Sequence, residues 1–189
     1  MPRPLRNLPP GSVAHVVNRG NDKRLLFDRA RDFEDFLQLV QWAKSQCPVD
    51  IVAYCVMSNH WHFAFWISAR GDVSRFLHRL TTTHAKRWRK RTGTVGCGHV
   101  YQDRFHASKI FTERHYYNVL RYVEQNPQRA NLVRQARDWR WSSLAERLGN
   151  GRGLLSPGPA DPLPGWEELI DKPLPEVDIE EIRSALQRH

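Results

Sequence analysis

The sequence predicts an α+β sandwich of ferredoxin-like type, in which helices cover one face of an antiparallel sheet. Segments with the apolar, β-branched character of strands are interleaved with segments that repeat apolar residues at helical spacing. Their order along the chain is strand, helix, strand, strand, helix, strand, helix. The chain has 189 residues and an apolar fraction of 40%, which is enough for one buried core.

The first half of the chain supplies three strand candidates and one helix. Val13 to Asn18 is apolar and is followed by turn-forming residues, which predicts a strand that leaves into a loop. Ile51 to Met57 and His60 to Ile67 are two further apolar runs, and the short turn between them predicts a hairpin. The helix ends at Pro48, and its apolar residues recur at helical spacing: Phe33, Phe36, Leu37, Val40 and Ala43.

The second half supplies two helices and one strand. Asp72 is a suitable N-cap for a long helix, which the glycine-rich stretch from Gly93 to Gly98 ends. Val100 to Phe111 contains a further strand. Thr112 then opens a helix that Pro127 stops.

The composition changes near residue 149. We therefore assign residues 1–148 to the α+β domain and residues 149–189 to an irregular Gly- and Pro-rich linker with a C-terminal helical tail. Ile179, Ile182 and Leu186 share one stripe of that tail helix. We expect the tail to dock on the domain, although contact with a partner is an alternative.

The charge of the chain points to nucleic acid. There are 29 Lys and Arg residues against 20 Asp and Glu, which gives a net charge of +9. Arg outnumbers Lys, and its guanidinium suits phosphate contacts and stacking on bases. The three cysteines form no CxxC pair, and no apolar run has the length of a membrane span or a secretory signal. We expect a protein of the bacterial cytoplasm and nucleoid with reduced thiols.

The segment His60-Trp61-His62 is the strongest candidate for a metal site. Strand alternation places both imidazoles on one face, while Trp61 and Phe63 point to the other. Two imidazoles two positions apart can reach a common divalent ion. Ordinary polar residues on a half-exposed strand are the alternative, and the same spacing also occurs in zinc sites. The pair therefore needs a third ligand and a reactive group.

A later helix supplies both. Tyr122 and Asn126 are four residues apart, so they return to the same helical face. A phenol and a carboxamide oxygen can then face the sheet and the metal together. The alternative for Tyr122 alone is a core tyrosine whose hydroxyl is hydrogen-bonded.

Together these features resemble the HUH single-tyrosine transposases, named for their histidine–hydrophobe–histidine motif. The likeness is greatest to the REP-associated tyrosine transposases, relatives of the insertion-sequence-200-like enzymes. It runs from His15 to Leu144, through segments that start at these residues: His15 (HVVNRGN), Tyr54 (YCVMSNHWH), Gly98 (GHVYQDRF), Asn126 (NPQRANLV) and Asp138 (DWRWSSL). The chain departs from the family pattern at two positions. Trp61 is bulkier than the usual middle residue of the motif, and Asn126 stands where the insertion-sequence branch often has Gln. Gln125 is the alternative third ligand.

The resemblance implies the HUH nuclease fold and a definite chemistry. Tyr122 would attack a phosphodiester of single-stranded DNA at repeat hairpins and form a covalent 5′-phosphotyrosine. His60, His62 and Asn126 would hold Mg²⁺ or Mn²⁺, which assists that attack. Two alternatives stay open: a catalytically silent nucleic-acid-binding module, and a metal-dependent phosphodiesterase that uses water. The family contains both monomers and dimers, and the sequence does not choose between them.

Twelve residues are predicted to contact DNA. Six basic residues lie along the second helix and favour a phosphate-tracking surface, although a solvated helix face would account for about half of them. Four more are expected nearer the site, and two on the first loop could read bases. The set is Arg75, Arg79, Lys86, Arg87, Arg89 and Lys90, then Arg104, Lys109, Arg121 and Arg129, and finally Asn18 and Arg19. A zinc site of Cys97, His99 and His106 is a weak alternative, because its spacing fits no common pattern.

Overall fold

The structure is a computed structural model that describes residues 8–68 and 72–187. Parts of the sequence-based assignment therefore lie outside the described residues, namely residues 1–7 and 69–71 of the domain and residues 188–189 of the tail. The described residues contain no helix long and apolar enough to cross a membrane.

Four strands form one antiparallel sheet. They are β1 (Val13–Arg19), β2 (Asp50–Met57), β3 (His60–Trp66) and β4 (His106–Ile110). Their order across the sheet is β2-β3-β1-β4, so β1 lies in the interior between β3 and β4. The predicted hairpin is confirmed, because β2 pairs with β3 and Met57 lies opposite His60. The α+β class is confirmed as well.

Seven helices accompany the sheet in the described residues. They are α1 (Ala30–Gln46), α2 (Val73–Thr92), α3 (Glu113–Glu124), α4 (Asn126–Arg129), α5 (Ser143–Ala145), α6 (Trp166–Asp171) and α7 (Glu176–Gln187). The predicted starts of α2 and α3 are confirmed, since the Asp72 carboxylate accepts the Arg75 N–H at 2.9 Å and the Thr112 hydroxyl accepts the His115 N–H at 3.2 Å. Gly93 ends α2 with a φ of 69°, which glycine adopts without strain.

Helices cover both faces of the sheet, which corrects the prediction that they lie on one. The helices α1 and α2 pack on the face that carries Trp61, Phe63 and Phe65. The helices α3, α6 and α7 pack on the opposite face, around Ala53 and Ala64. The second layer was missed because one face of β3 carries three buried aromatics, whereas the other carries His60, His62 and Ala64 before Trp66 at its end. A face that is mostly His and Ala does not signal burial.

Residues after 148 lie against the domain. The Leu155 backbone bridges Ile51 at the edge of β2, and the Ser156 N–H donates to the Ile51 carbonyl at 2.8 Å. Trp166 and Ile170 of α6 are buried in the same cluster as α3. The division of the chain at residue 149 stays a prediction, but the tail expected to dock has extensive contact with the sheet and α3.

Candidate active site

The strand β3 presents its two histidines toward α3. Trp61 is fully buried on the opposite face, against α1 and α2, and this fixes the register of the strand. His60 is half-buried at the start of β3, and His62 is 4% exposed. Their ring centroids lie 5.0 Å apart. The predicted arrangement of the pair on one face is therefore what the structure contains.

Each histidine makes a hydrogen bond through Nδ1. In His60 this atom lies 2.7 Å from Oδ1 of Asn59, the turn residue before it. In His62 it lies 3.0 Å from Nε2 of His15 on β1. A hydrogen bond at Nδ1 orients the ring and leaves Nε2 as the atom that can bind a metal.

Burial keeps both rings in the neutral form. The pKa of His60 is lowered to about 4, first by burial and then by the nearby positive charges of Arg19 and Arg129. The pKa of His62 is well below its usual value for the same leading reason, with His60 and His15 adding to the effect. Neutral imidazoles carry the lone pair that a metal ion requires.

The helix α3 brings Tyr122 to the histidines. Val119, Leu120 and Val123 are fully buried and anchor this amphipathic helix on the sheet. The Tyr122 ring is 6% exposed, and its centroid lies 5.8 Å from that of His62, with the rings nearly perpendicular. Two residues separated by 60 positions in the sequence thus meet through the packing of one helix on one strand.

Asn126 lies directly below Tyr122, one helical turn along the chain. Its Nδ2 donates to the Tyr122 carbonyl at 3.0 Å, and its Oδ1 accepts from Nη2 of Arg129 at 2.7 Å. The alternative ligand Gln125 points elsewhere, because its Nε2 donates to the carbonyls of Ile170 and Lys172 beside α6. The geometry therefore favours Asn126 over Gln125 as the oxygen donor near the histidines.

Arg129 lies against the ring of the tyrosine. Its guanidinium carbon lies 3.9 Å from the centroid of the Tyr122 ring, a cation–π arrangement. Nη1 also donates to the Tyr122 carbonyl at 3.3 Å. Burial lowers the pKa of Arg129, although a guanidinium keeps its charge in proteins. The arrangement holds a positive charge and the phenol against each other at the edge of the site.

These side chains surround one cavity of about 480 Å³. Its wall contains both histidines, the tyrosine, the carboxamide and two arginines from the domain, and it also includes residues from α7. The lining includes Arg19, His60, His62, His106, Tyr122, Asn126, Arg129 and Arg183. The space is large enough to admit a phosphodiester to the tyrosine and the histidines.

The twelve predicted DNA contacts do not form one surface. Arg19 and Arg129 line the cavity with Tyr122. Asn18, Arg89 and Arg104 line a second groove, between α2 and the loop before β4, on the other face of the sheet. The remaining seven are spread around the fold, and four of them are exposed on α2. Those four are Arg75, Lys86, Arg87 and Lys90. Of the other three, Arg79 stacks on Trp42, Arg121 donates to the Lys172 carbonyl, and Lys109 is half-buried on β4.

The alternative zinc site is not assembled. His106 lines the cavity with Tyr122, whereas His99 lines the groove beside α2, and Cys97 is exposed. No group of three or more His, Cys, Asp or Glu in residues 8–68 and 72–187 could hold a metal ion. Asn126, which lines the cavity with His60 and His62, offers an amide oxygen as a further ligand atom.

Two residues of the site were not singled out from the sequence. His15 is fully buried behind His62, and Arg183 reaches the cavity from α7. Alternation along β1 places His15 with Val13 and Val17 on the face toward α3. A histidine on an otherwise apolar strand face is a pattern that indicates a site residue. Nothing local in the sequence connects Arg183 with Tyr122.

Comparison with known proteins gives the family. The family model described as "Transposase IS200 like" matches residues 11–126, which include β1, the histidine pair, Tyr122 and Asn126. The chain belongs to the IS200-like transposase family. Among curated relatives, the chain is 28% identical over 112 residues to the REP-associated tyrosine transposase of Escherichia coli strain K12, covering 57% of this chain and 62% of that protein. The matched part of the chain thus spans less than two thirds of the length of that relative.

A solved structure shares the fold of this chain. The structure of a REP-associated tyrosine transposase bound to a REP hairpin superposes with a TM-score of 0.64 at 20% identity. The match covers 82% of this chain and 89% of that one. The resemblance expected from the sequence is thereby confirmed, and so is the HUH nuclease fold.

Proposed function

We propose that this transposase cuts and rejoins single-stranded DNA at hairpin-forming repeats, with Tyr122 as the nucleophile and a divalent metal, Mg²⁺ or Mn²⁺, at His60, His62 and Asn126. The observation that carries the proposal is the convergence of these side chains on one cavity, with the Tyr122 and His62 ring centroids 5.8 Å apart. A hairpin substrate is supported by the related transposase whose structure holds a REP hairpin. The nucleoid of the bacterial cytoplasm would supply such DNA.

The residues at the site fit a divalent metal. Both imidazoles have Nδ1 occupied by a hydrogen bond, which leaves Nε2 for coordination, and both are neutral near pH 7. The Asn126 Oδ1 has two lone pairs, so its bond to Arg129 leaves one for an ion. Two nitrogens and one oxygen suit Mn²⁺ better than Mg²⁺, which prefers oxygen ligands but is abundant in cells. When bound, the ion would polarise the scissile phosphate and stabilise the departing oxygen.

The proposed reaction is a transesterification that conserves the number of phosphodiester bonds. The Tyr122 hydroxyl loses its proton and its oxygen attacks phosphorus, while the bond from phosphorus to the 3′ oxygen breaks. The 3′ oxygen takes up a proton, and the 5′ phosphate stays on the tyrosine. Attack by another 3′ hydroxyl reverses the step and releases the tyrosine. No nucleotide cofactor is needed, because the phosphotyrosine keeps the bond energy.

The arginines of the site have separate proposed tasks. Arg129 holds the Tyr122 ring and the Asn126 oxygen, and its charge would meet the scissile phosphate. Arg19, exposed at the end of β1, would contact a neighbouring phosphate. The groove that contains Asn18, Arg89 and Arg104 would take a flanking part of the DNA, so the bound strand would pass around the sheet edge between the two cavities.

The decisive experiment is the Tyr122→Phe variant on a labelled single-stranded hairpin. We expect loss of the covalent protein–DNA adduct while DNA binding survives. Tyr117→Phe is the matched control, because Tyr117 lies on the same helix but donates to the Asp161 carbonyl outside the cavity. Cleavage that persists in the Tyr122 variant would favour the water-using phosphodiesterase. Binding without cleavage by the wild-type protein, with Mg²⁺ or Mn²⁺ supplied, would favour the silent module.

The metal ligands are tested separately. His60→Ala and His62→Ala should each abolish Mn²⁺-dependent cleavage, and full activity in either variant would refute the metal assignment. Asn126→Ala should lower the affinity for Mn²⁺, whereas Gln125→Ala should leave it unchanged, because that side chain binds the α6 carbonyls instead. The opposite result would make Gln125 the ligand.

A further inference from the structure

The side chain of His15 lies directly behind the proposed metal ligand His62. His15 belongs to the interior strand β1, where Ala64 and Ser108 are its neighbours on the two adjacent strands. It is fully buried, and its ring stacks on that of His62 with centroids 5.3 Å apart and an interplanar angle of 21°. Its Nε2 lies 3.0 Å from Nδ1 of His62.

That contact constrains where the protons lie. Two neutral imidazoles in a hydrogen bond share one proton, so one ring donates and the other accepts. For His62 to offer the Nε2 lone pair to a metal, its Nδ1 must carry the proton and donate to Nε2 of His15. His15 must then be neutral and carry its own proton on Nδ1.

The surroundings of His15 can accept that second proton. Nδ1 of His15 and Oγ of Ser108 are both buried and have no hydrogen-bond partner among the described residues. The two residues face each other across β1 and β4, where side chains on one face are about 5 Å apart at Cβ. A hydrogen bond from Nδ1 to Oγ, direct or through one buried water, would satisfy both atoms.

We propose, resting on the proposed metal site, that His15 is a positioning residue which fixes the tautomer and orientation of His62. It accepts the Nδ1 proton of His62 and passes the hydrogen-bond chain on to Ser108. His15 also meets the edge of the Tyr122 ring, with centroids 5.8 Å apart, so it contacts both the proposed ligand and the proposed nucleophile. Buried apolar packing alone does not need a nitrogen at this position.

Two substitutions separate this role from packing. His15→Phe keeps a ring against Tyr122 but removes the acceptor, whereas His15→Gln keeps an oxygen that can accept from His62. His84→Phe is the matched control, because His84 is also a buried histidine with one bond to a neighbouring side chain, on the other face of the sheet. Circular dichroism first establishes that each variant folds.

The first measurement needs neither metal nor activity. Long-range ¹H–¹⁵N NMR spectra of the metal-free protein report which nitrogen of His62 carries the proton. We expect the proton on Nδ1 in the wild type and in the His15→Gln and His84→Phe variants, and a mixture of tautomers in the His15→Phe variant. A proton on Nε2 in the wild-type protein would overturn the proposal, even if His15→Phe fails to fold.

The second measurement is Mn²⁺ affinity without DNA, from the free-ion signal in electron paramagnetic resonance. Loss of a partner behind a metal-binding histidine typically costs 10–100-fold in affinity. We expect a loss of that order for His15→Phe and a change of less than about threefold for His15→Gln and His84→Phe. Wild-type affinity in a folded His15→Phe variant would refute the role. Absence of Mn²⁺ binding in the wild type would instead refute the proposed metal site, and the NMR result would still judge His15.

Discussion

The buried carboxylate of Glu124 provides a quantitative test of how α3, and with it Tyr122, is held in place. Glu124 is fully buried at the end of α3. Its Oε1 accepts from the Ser143 hydroxyl at 2.5 Å and from Nε of Arg147 at 3.0 Å, and its Oε2 accepts from Nε1 of Trp166 at 2.7 Å. One carboxylate thus links α3 to α5, to the segment after it and to α6.

The cost of removing this carboxylate follows from those contacts. Breaking a buried ion pair by deleting one partner typically costs about 3–5 kcal/mol, since the other charge is left unpaired. We therefore expect Glu124→Ala to lower the free energy of unfolding by roughly that amount. Glu124→Gln keeps the volume but loses the charge and turns one acceptor into a donor. A hydrogen bond to a charged group contributes about 1.5–3 kcal/mol to stability. We therefore expect Glu124→Gln to lower the free energy of unfolding by about 2–3 kcal/mol.

The assay is urea denaturation followed by tryptophan fluorescence and circular dichroism, with coincident curves as the test of two-state unfolding. Glu34→Gln is the matched control, because Glu34 also contacts two arginines, Arg140 and Arg152, but its side chain is 28% exposed. A pair at the surface contributes about 0–1 kcal/mol. If Glu124→Gln cost no more than Glu34→Gln, burial of the carboxylate would not control the docking of α3.

Three further predictions concern pH, the site and the DNA surface. Burial lowers the pKa of His84 from 6.5 to about 3, so between pH 6.5 and pH 3 only the unfolded chain binds that proton, and the folded state loses stability as the pH falls. The free energy of unfolding should therefore drop by about 2 kcal/mol less between pH 7 and pH 5 in His84→Gln than in the wild type, measured by urea denaturation at both pH values. Arg129→Lys should slow adduct formation at least tenfold, since an ammonium cannot both stack on the tyrosine and bind the carboxamide, and an unchanged single-turnover rate would contradict this. Arg89→Ala and Arg104→Ala should each reduce the slope of log DNA affinity against log salt concentration by about 0.7, because each removes one phosphate contact in the groove. Arg79→Ala should leave the slope unchanged, because the Arg79 side chain stacks on Trp42. Equal slopes in all three variants would argue against a DNA strand in that groove.

The sequence determined the features that depend on local periodicity. Alternation along β3 put His60 and His62 on the face opposite Trp61, and a four-residue spacing put Tyr122 and Asn126 on one side of a helix turn. The starts of α2 and α3 were equally local, because a capping side chain bonds to a backbone N–H three residues away. Patterns of period 2 and 3.6 are fixed within a few residues, so they can be read without knowing the fold.

Only the tertiary structure decided which elements meet. The sequence placed helices on one face of the sheet, whereas α3, α6 and α7 cover the second face and bring Tyr122 onto His62. The same packing puts His15 behind His62, turns Gln125 toward α6 instead of the histidines and adds Arg183 from the tail. These contacts join positions far apart in the chain, and no local pattern encodes which distant face a helix will bury. The histidine pair could therefore be named from the sequence, whereas the residues that surround it depend on the order of the strands and on the helices packed against them.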